Sequence, residues 1–325
     1  MGSPNSTVNG LSDIGQVRDE NEDHLEMYSH PVEPFSFVIV ADGMGGYTGG
    51  ARASSLATQK LKEALIGLIS NDFLGCSPLQ QIAIIRMQLN KGIQQANRAI
   101  LDEKQCTKGF VHMGTTIVCV AIWQEQLVVA HVGDSRAYQW NKFGICPITK
   151  DHSLVQSMID EGQLTEDQAR TCDVRNQLTR AIGIEEDLDV TIQERTLVGD
   201  NTFLLCSDGL TEYLEDYDIE RILASQSTNL ENCYRLVDEA NSRGGKDNVT
   251  VAIMEFRAPA SAEQHEKFTS IDTKTPQPLI VDAYADITTP GNVNHDRTQQ
   301  NEGLKRFLSA NTVDGDVTTP VPKKK

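Results

Sequence analysis

Runs of β-branched and other apolar residues, bounded by glycine, asparagine or charged residues, recur along the first 256 positions of the chain. Such runs are typical of strands buried in a core. They predict strands at residues 35–41, 115–123, 126–132, 136–140, 202–207 and 249–256. Only Gln-Glu separates the second run from the third, and a two-residue connection joins antiparallel neighbours. The pattern therefore predicts a β-hairpin at this point.

Other segments place apolar residues three and four positions apart, which is the helical spacing. They predict helices at residues 51–69, 79–103, 153–161 and 230–242. The helices alternate with pairs of strands, not with single strands. This order favours antiparallel sheets covered by helices over a doubly wound parallel sheet, and so an α+β fold.

The character of the chain changes after Phe256. The remaining residues are rich in Ala, Ser, Thr, Pro and Asn and have no sustained period. Such a segment buries too little apolar surface to offset its ordering entropy. The sequence thus predicts one folded domain over residues 1–257 and a largely disordered tail over residues 258–325.

The net charge and the cysteine content limit the possible binding partners and the cellular compartment of the protein. The net charge of −17 argues against general binding to nucleic acid or to anionic membranes, because these polyanions would be repelled. The seven cysteines have no C-x-x-C spacing, and several lie in apolar runs. They are typical of unpaired core residues in a protein from a reducing compartment. No window approaches the roughly 20 apolar residues of a membrane span. We expect a soluble, cytoplasmic protein.

Four aspartates stand at the ends of predicted strands: Asp42, Asp134, Asp208 and Asp247. One alone would be explained as a turn former or a helix cap. If the strands lie side by side, the carboxylates share one rim, where each like-charge pair at ~4 Å costs on the order of 4 kcal/mol at an effective dielectric constant of 20. Either the carboxylates take up protons or a cation neutralises them.

A hard divalent cation suits an aspartate-rich rim. Carboxylate oxygens are the ligands that Mg²⁺ and Mn²⁺ prefer, whereas zinc calls for histidine and cysteine. The seven histidines are dispersed and form no ligand-like pair. The composition of the rim therefore predicts Mg²⁺ or Mn²⁺.

Glycines follow Asp42 directly, in the stretch ADGMGG. Without side chains they allow the backbone to approach an ion and its ligand closely. A nucleotide-binding loop is the alternative, but the lysine and hydroxyl residue of a P-loop are replaced by Ala51 and Arg52, and the dinucleotide fingerprint lacks its third glycine. The metal-site interpretation is therefore favoured.

Taken together and in order, eight blocks of this sequence resemble the metal-dependent serine/threonine protein phosphatases of the PPM, or type 2C, class in their bacterial form. The resemblance covers roughly residues 10–256. The blocks are GQVRDENED, VIVADGMGG, MGTTIVCVAI, AHVGDSRAY, ITKDHSLVQSMIDEGQLTEDQAR, NQLTRAIG, LLCSDGLTEYL and GGKDNVTVAIM.

The resemblance implies a four-layer α-β-β-α sandwich with two central antiparallel sheets and a metal centre at one rim. It implies hydrolysis of phosphoserine and phosphothreonine in proteins by a hydroxide that bridges two metal ions. Two to three Mn²⁺ or Mg²⁺ ions would be the cofactors. The partners would be phosphorylated proteins, among them a Ser/Thr kinase and its targets, and the enzyme would act as a monomer that reverses kinase signalling.

The same resemblance assigns metal ligands residue by residue. Asp42 would bridge two ions, and the carbonyl of Gly43 would contact one of them. Asp208 and Asp247 would complete the shell of the other ion. Asp134, together with Asp208, resembles the ligands of a third, weaker metal.

Further roles follow from the same comparison. Glu22 and Asp23 would hold metal-bound waters, and Arg18 resembles a phosphate clamp, since its planar donors match phosphate oxygens. Asn248 would support the last aspartate. Met44 departs from eukaryotic members, which carry a histidine proposed as general acid; bacterial-type members share the methionine, so another group or a water must protonate the leaving oxygen.

Residues 149–182 resemble the flap that bacterial members place beside the active site, and we expect this segment to gate substrate access. His24 and His131 lie near the motifs, and for both we expect a structural role. Two alternatives stay open at this point. One is a pseudophosphatase that uses the fold for binding, although all expected ligands are present; the other is a phosphatase of a non-protein phosphate ester.

Overall fold

A computed structural model describes residues 6–46, 49–107 and 112–258 of the chain. Its strands are β1 (Ser6–Asp13), β2 (Asp23–Ser29), β3 (Phe35–Met44), β4 (Gly114–Thr115), β5 (Ile117–Trp123), β6 (Gln126–Val132), β7 (Arg136–Asn141), β8 (Gly144–Pro147), β9 (Thr191–Thr196), β10 (Asn201–Cys206) and β11 (Val249–Phe256). Its helices are α1 (Gly49–Ile66), α2 (Asn71–Leu74), α3 (Pro78–Cys106), α4 (Leu154–Asp160), α5 (Glu166–Arg170), α6 (Asp208–Thr211), α7 (Asp216–Leu223) and α8 (Asn229–Ser242).

The strands form two antiparallel sheets. The first sheet has the order β1-β11-β10-β7-β8, and the second has the order β2-β3-β5-β6-β9 with β4 added beside β3. Strands β5 and β6 pair from Ile117 with Val132 to Trp123 with Gln126, so the predicted hairpin is confirmed. Gln124 in its two-residue turn has a positive φ of 54°.

Alternating residues of each central strand face opposite layers. In β3, Val38 and Val40 belong to the core between the two sheets. Their neighbours Phe37 and Ile39 belong to a second core, which packs the outer face of this sheet against α1 and α3. These strands are apolar on both faces because both faces are covered.

The first sheet is built in the same way. Phe203 and Leu205 of β10 point into the core between the sheets. Leu204 and Cys206 point outward, where they pack with residues of α7 and α8. The result is a four-layer α-β-β-α sandwich with two central antiparallel sheets, and the predicted fold class is confirmed.

Local sequence signals explain where the long helices begin. Ser77 caps α3 through a reciprocal pair of hydrogen bonds with Gln80, and Pro78 occupies the first turn, where no backbone donor is needed. Thr228 and Glu231 form the same capping box at α8. The helices start within two residues of the predicted positions because these caps are local.

Strands β1, β2, β8 and β9 were not predicted. They are the outer strands of the two sheets. Each buries only part of its surface, so its sequence is more polar than that of a central strand. The predicted strand at 115–123 is divided at Thr116 into β4 and β5, and the short helices α2, α5, α6 and α7 lie outside the predicted helical ranges.

Residues 259–325 lie outside the described residues, so the disordered tail expected for 258–325 stays a prediction. In the described part of the chain, none of the helices combines the length and the apolar character needed to cross a membrane.

Candidate metal centre

Asp23 and Asp42 lie directly opposite each other on the paired strands β2 and β3. The Ser207 hydroxyl donates to Asp23 Oδ2 at 2.8 Å. The other carboxylate oxygen, Asp23 Oδ1, is buried and has no hydrogen-bond partner. A buried carboxylate oxygen of this kind is a group that a cation or a bound water would satisfy.

Three more aspartates reach the same rim from different strands. Asp134 lies in the loop between β6 and β7, Asp208 begins α6 directly after β10, and Asp247 precedes β11. The carboxyl groups of Asp42 and Asp208 lie within hydrogen-bonding reach of each other. Because β3 and β6 belong to one sheet and β10 and β11 to the other, the rim lies where the two sheets meet.

The electrostatics of the rim disfavour charged carboxylates. Burial raises the pKa of Asp42 well above its usual range, and the neighbouring aspartates, Asp23 first among them, add to this effect. Burial raises the pKa of Asp134 well above its usual range too, with a further contribution from Asp208. Both side chains keep partial access to solvent, so an ion could reach them from outside.

The pKa values of the other two crowded aspartates shift in the same direction. Burial raises the pKa of Asp23 to about 7, although hydrogen bonds from Thr250 and Ser207 oppose the shift. Burial, and after it the charge of Asp247, raises the pKa of Asp208 to about 6. The rim thus holds more negative charge than its surroundings compensate, which is the condition for binding a cation.

Arg18 brings a cationic group to this rim. Its Nη2 donates to Asp247 Oδ2 at 2.7 Å, and 46% of its side chain is exposed. Burial by itself would lower the pKa of Arg18, but the nearby carboxylates, led by Asp247, raise it overall. The guanidinium is therefore permanently charged and reachable from the solvent.

Glu22 is held from three sides. Its backbone N–H donates to Asn248 Oδ1 at 2.8 Å, its carbonyl accepts from the Gly43 N–H at 3.1 Å, and its Oε1 accepts from the Gly50 N–H at 3.2 Å. Burial raises the pKa of Glu22. A Cβ at Gly43 would fall inside contact distance of the Gly50 and Glu22 carbonyl oxygens, so glycine is required there.

Asn248 ties the last aspartate to the N-terminal motif. Besides accepting from Glu22, it donates through Nδ2 to the carbonyls of Ile14 at 2.9 Å and Glu20 at 3.0 Å. Its own backbone N–H donates to Asp247 Oδ1 at 2.8 Å. Residues more than 200 positions apart are thus joined at one point.

Ser207 is a contributor that the sequence reasoning missed. Its hydroxyl accepts from the Thr250 N–H at 3.0 Å while donating to Asp23. Ser207 directly precedes Asp208 in the motif LLCSDGL, but nothing in that position indicates that its hydroxyl bonds a carboxylate of the other sheet.

The donor set fits a hard divalent ion. The rim offers carboxylate and carbonyl oxygens, crowded enough to raise one another's pKa values, and one buried carboxylate oxygen without a partner. Within the described ranges, no three His, Cys, Asp or Glu side chains already form a closed cage. The fit therefore rests on the chemistry of the donors, which are oxygen ligands that carry more negative charge than the rim compensates.

Residues 149–182, the predicted flap, leave the sandwich and return beside their starting point. The Leu154 N–H donates to the Gln177 carbonyl at 2.7 Å, and the Thr179 N–H donates to the His152 carbonyl at 2.8 Å. Between these ends the segment forms α4 and α5. Arg170 Nη1 lies 3.3 Å from Glu215 Oε1, which connects the segment to the start of α7.

The histidines near the motifs, and Met44, occupy defined positions in the second sheet. His131 is buried, places Nε2 2.9 Å from the Lys150 carbonyl, and stacks on His152 with 4.5 Å between ring centroids. His24 lies on β2 opposite Ala41. Met44 ends β3 and pairs with Gly114. The contacts of His131 are those of a packing residue.

Comparison with known proteins identifies the family. The sequence profile of protein phosphatase 2C matches residues 10–249. This is well over half of the 325 residues. The chain therefore belongs to the protein phosphatase 2C family, and the prediction of a bacterial-type protein serine/threonine phosphatase is confirmed.

Individual relatives agree with this assignment. The serine/threonine phosphatase stp of Listeria monocytogenes is 34% identical over 244 residues, which cover 75% of this chain and 93% of the relative. The S. agalactiae serine/threonine phosphatase has a TM-score of 0.69 at 32% identity, with 77% of this chain and 98% of that chain covered. The catalytic domain of the phosphatase PstP, solved with two manganese ions, has a TM-score of 0.64 at 29% identity, with 77% and 97% covered.

Proposed function

We propose that this protein hydrolyses phosphoserine and phosphothreonine in proteins at the aspartate rim, with divalent metal ions as cofactors. The observation that carries the proposal is the convergence of Asp23, Asp42, Asp134, Asp208 and Asp247 beside one exposed arginine. The manganese ions of the related PstP structure support the choice of metal. A pair of bound divalent ions lowers the pKa of a shared water and supplies the nucleophile at neutral pH.

The ligands that we propose are those named from the motifs. Asp42, the Gly43 carbonyl, Asp208 and Asp247 would hold the main ions, and Asp134 with Asp208 would hold a third. Glu22 and Asp23 would accept hydrogen bonds from waters in the metal shells. Support comes from the raised pKa values of Asp23, Asp42, Asp134 and Asp208, because a bound cation offsets the burial and the mutual repulsion that raise them.

The remaining groups bind and orient the substrate. Arg18 would leave or share its bond to Asp247 and donate to phosphate oxygens of the phosphoserine, for which its planar donors are suited. Asn248 would keep Glu22 and Asp247 in place, since it accepts from the backbone N–H of Glu22 and donates its own backbone N–H to the Asp247 carboxylate. No protein nucleophile is needed, so no covalent phosphoenzyme is expected.

The experiment that tests this function is phosphate release from a phosphothreonine peptide. It is run with Mn²⁺, with EDTA, and with the Asp42→Ala variant; Asp189→Ala, whose side chain is 79% exposed, is the matched control. We expect activity that requires both the metal and Asp42 and is unchanged by Asp189→Ala. A folded protein that is inactive with every peptide and metal would instead be a binding module of the same fold.

Substrate scope and assembly belong to the same proposal. We expect faster turnover of phosphopeptides than of small phosphate esters, and the reverse order would assign a non-protein substrate. The natural substrates would be a Ser/Thr kinase and its targets. The enzyme would act as a monomer, which light scattering checks against the chain mass of 35.8 kDa.

A further inference from the structure

Thr116 lies opposite Asp42 in the second sheet. The pairs Gly43–Thr115 and Val40–Val118 on either side set this register. The Thr116 N–H donates to the Asp42 carbonyl at 2.8 Å, as in an ordinary antiparallel ladder. The two strands on this side, β4 and β5, are nevertheless separated at Thr116.

The return bond of the ladder is made by a side chain. The Asp42 N–H donates to the Thr116 hydroxyl oxygen at 3.0 Å instead of to a backbone carbonyl. The same hydroxyl lies 2.7 Å from Ser135 Oγ. Thr116 and Ser135 are each only 1% exposed, so water does not compete for these bonds.

The methyl group of Thr116 makes a second contact with the same loop. Gly133 has a positive φ of 104°. A Cβ at Gly133 would lie 2.6 Å from Thr116 Cγ2 and 2.7 Å from Thr116 Cβ, so the glycine backbone packs directly against this side chain. Thr116 thus touches the residue before Asp134 and the residue after it, while holding the backbone of Asp42.

We infer that Thr116 is a positioning residue that sets the distance between Asp42 and Asp134. The inference rests on the proposed function, because it concerns two proposed metal ligands of that site. A buried hydroxyl that bonds both β3 and the loop between β6 and β7 allows little freedom, since each lost bond leaves a buried polar group without a partner. Thr116 therefore sets the affinity for the ion that Asp134 would help to hold, and affects the other ions less.

The test compares Thr116→Val with Thr116→Ser. Valine keeps the packing on Gly133 but leaves the Asp42 N–H and the Ser135 hydroxyl without their partner, whereas serine keeps the hydroxyl. Mn²⁺ binding to the full-length protein is measured by isothermal titration calorimetry after removal of metal by EDTA and dialysis. Thr202→Val is the control, because Thr202 is a buried strand threonine six residues from Asp208, roughly 20 Å along β10.

We expect Thr116→Val to weaken binding of the weakest Mn²⁺ by about 10- to 100-fold, the usual effect of removing a group that orients a ligand. Thr116→Ser should stay within a few-fold of the wild type, and Thr202→Val should not change the affinity. Ser135→Ala, which leaves the bond to Asp42 in place, should weaken the same ion and spare the tighter ones. It serves as the decisive variant if Thr116→Val does not fold.

Two results separate the possible failures. If the wild type binds Mn²⁺ and the Thr116→Val and Ser135→Ala proteins bind every ion with wild-type affinity while only their melting temperatures in EDTA fall, Thr116 is a packing residue and the inference is wrong. If the wild type itself binds no Mn²⁺, the proposed function fails and the inference fails with it.

Discussion

The guanidinium of Arg18 donates to the Asp247 carboxylate at 2.7 Å across the mouth of the aspartate rim. Residues 229 positions apart in the chain form this pair. Because the pair is exposed, it contributes only roughly 0–1 kcal/mol to stability. Arg18 can therefore release the Asp247 carboxylate and bind a substrate phosphate with little loss of folding free energy.

Replacing Arg18 should therefore impair substrate binding more than folding. For Arg18→Ala we expect KM for a phosphopeptide to rise by about 10- to 100-fold, which corresponds to loss of a charged hydrogen bond of roughly 1.5–3 kcal/mol. Steady-state kinetics at saturating Mn²⁺ measure this. Arg18→Lys should restore little, because an ammonium lacks the planar fork. An unchanged KM would show that Arg18 does not contact the phosphate.

Without metal, the raised pKa of Asp23 makes stability depend on pH. The carboxyl titrates near 3.9 when unfolded and at about 7 when folded, so its contribution is complete below about pH 4 and is lost as pH rises toward 7. In EDTA, Asp23→Asn should gain stability relative to the wild type between pH 4 and pH 8, on the order of a few kcal/mol. Urea unfolding at several pH values measures the difference.

The metal supplies the control for that experiment. Saturating Mn²⁺ should stabilise the wild type more at pH 8 than at pH 5, because protons compete with the ion for the carboxylates. A wild type and an Asp23→Asn variant with parallel pH profiles in EDTA would contradict the assignment of Asp23 to an uncompensated rim.

The stacked histidines should give the opposite pH dependence. Burial, assisted by the neighbouring His131, lowers the pKa of His152 to about 3. An unfolded histidine takes up its proton near pH 6.5, so the stability contribution of His152 is present above that pH and is lost as pH falls toward 3. The difference in unfolding free energy between wild type and His152→Gln should shrink from pH 7 to pH 5. A constant difference would mean that the fold does not change the pKa of His152.

Gly43→Ala should damage both folding and activity. Its Cβ would collide with backbone oxygens of Gly50 and Glu22, which cannot move as a flexible side chain can. We expect a loss of roughly 1–3 kcal/mol in unfolding free energy, the usual cost of overpacking. Thermal unfolding measures it. Gly67→Ala is the matched control, because no atom lies within 4 Å of its added Cβ; equal effects at both positions would refute the steric explanation.

The segment at residues 149–182 should affect selectivity more than stability. Its contacts to Glu212 and Glu215 are exposed ion pairs, with Arg175 Nη2 3.7 Å from Glu212 Oε1. Deleting residues 153–170 should leave Mn²⁺-dependent hydrolysis of a small phosphate ester and change the relative kcat/KM among phosphopeptides. Unchanged peptide selectivity in a folded deletion protein would remove the gating role.

Much of this architecture can be predicted from the sequence because it depends on residues that are close together in the chain. Apolar runs indicate the central strands, and a two-residue connection makes β5 and β6 a hairpin. The capping boxes determine where α3 and α8 begin. The four aspartates at the ends of predicted strands can also be recognised in the sequence. A role as turn formers would not by itself explain why an aspartate recurs at four strand ends.

Other features arise only when distant segments meet. The polar outer strands become strands because a partner completes their hydrogen bonds, and no local pattern marks them. The Thr116 hydroxyl bonds a residue 74 positions away, and Asn248 bonds one 226 positions away. The raised pKa values of Asp23 and Asp42 come from burial and from charges on other strands. Residue types reveal which groups are able to hold a metal, whereas packing sets their distances and their charge.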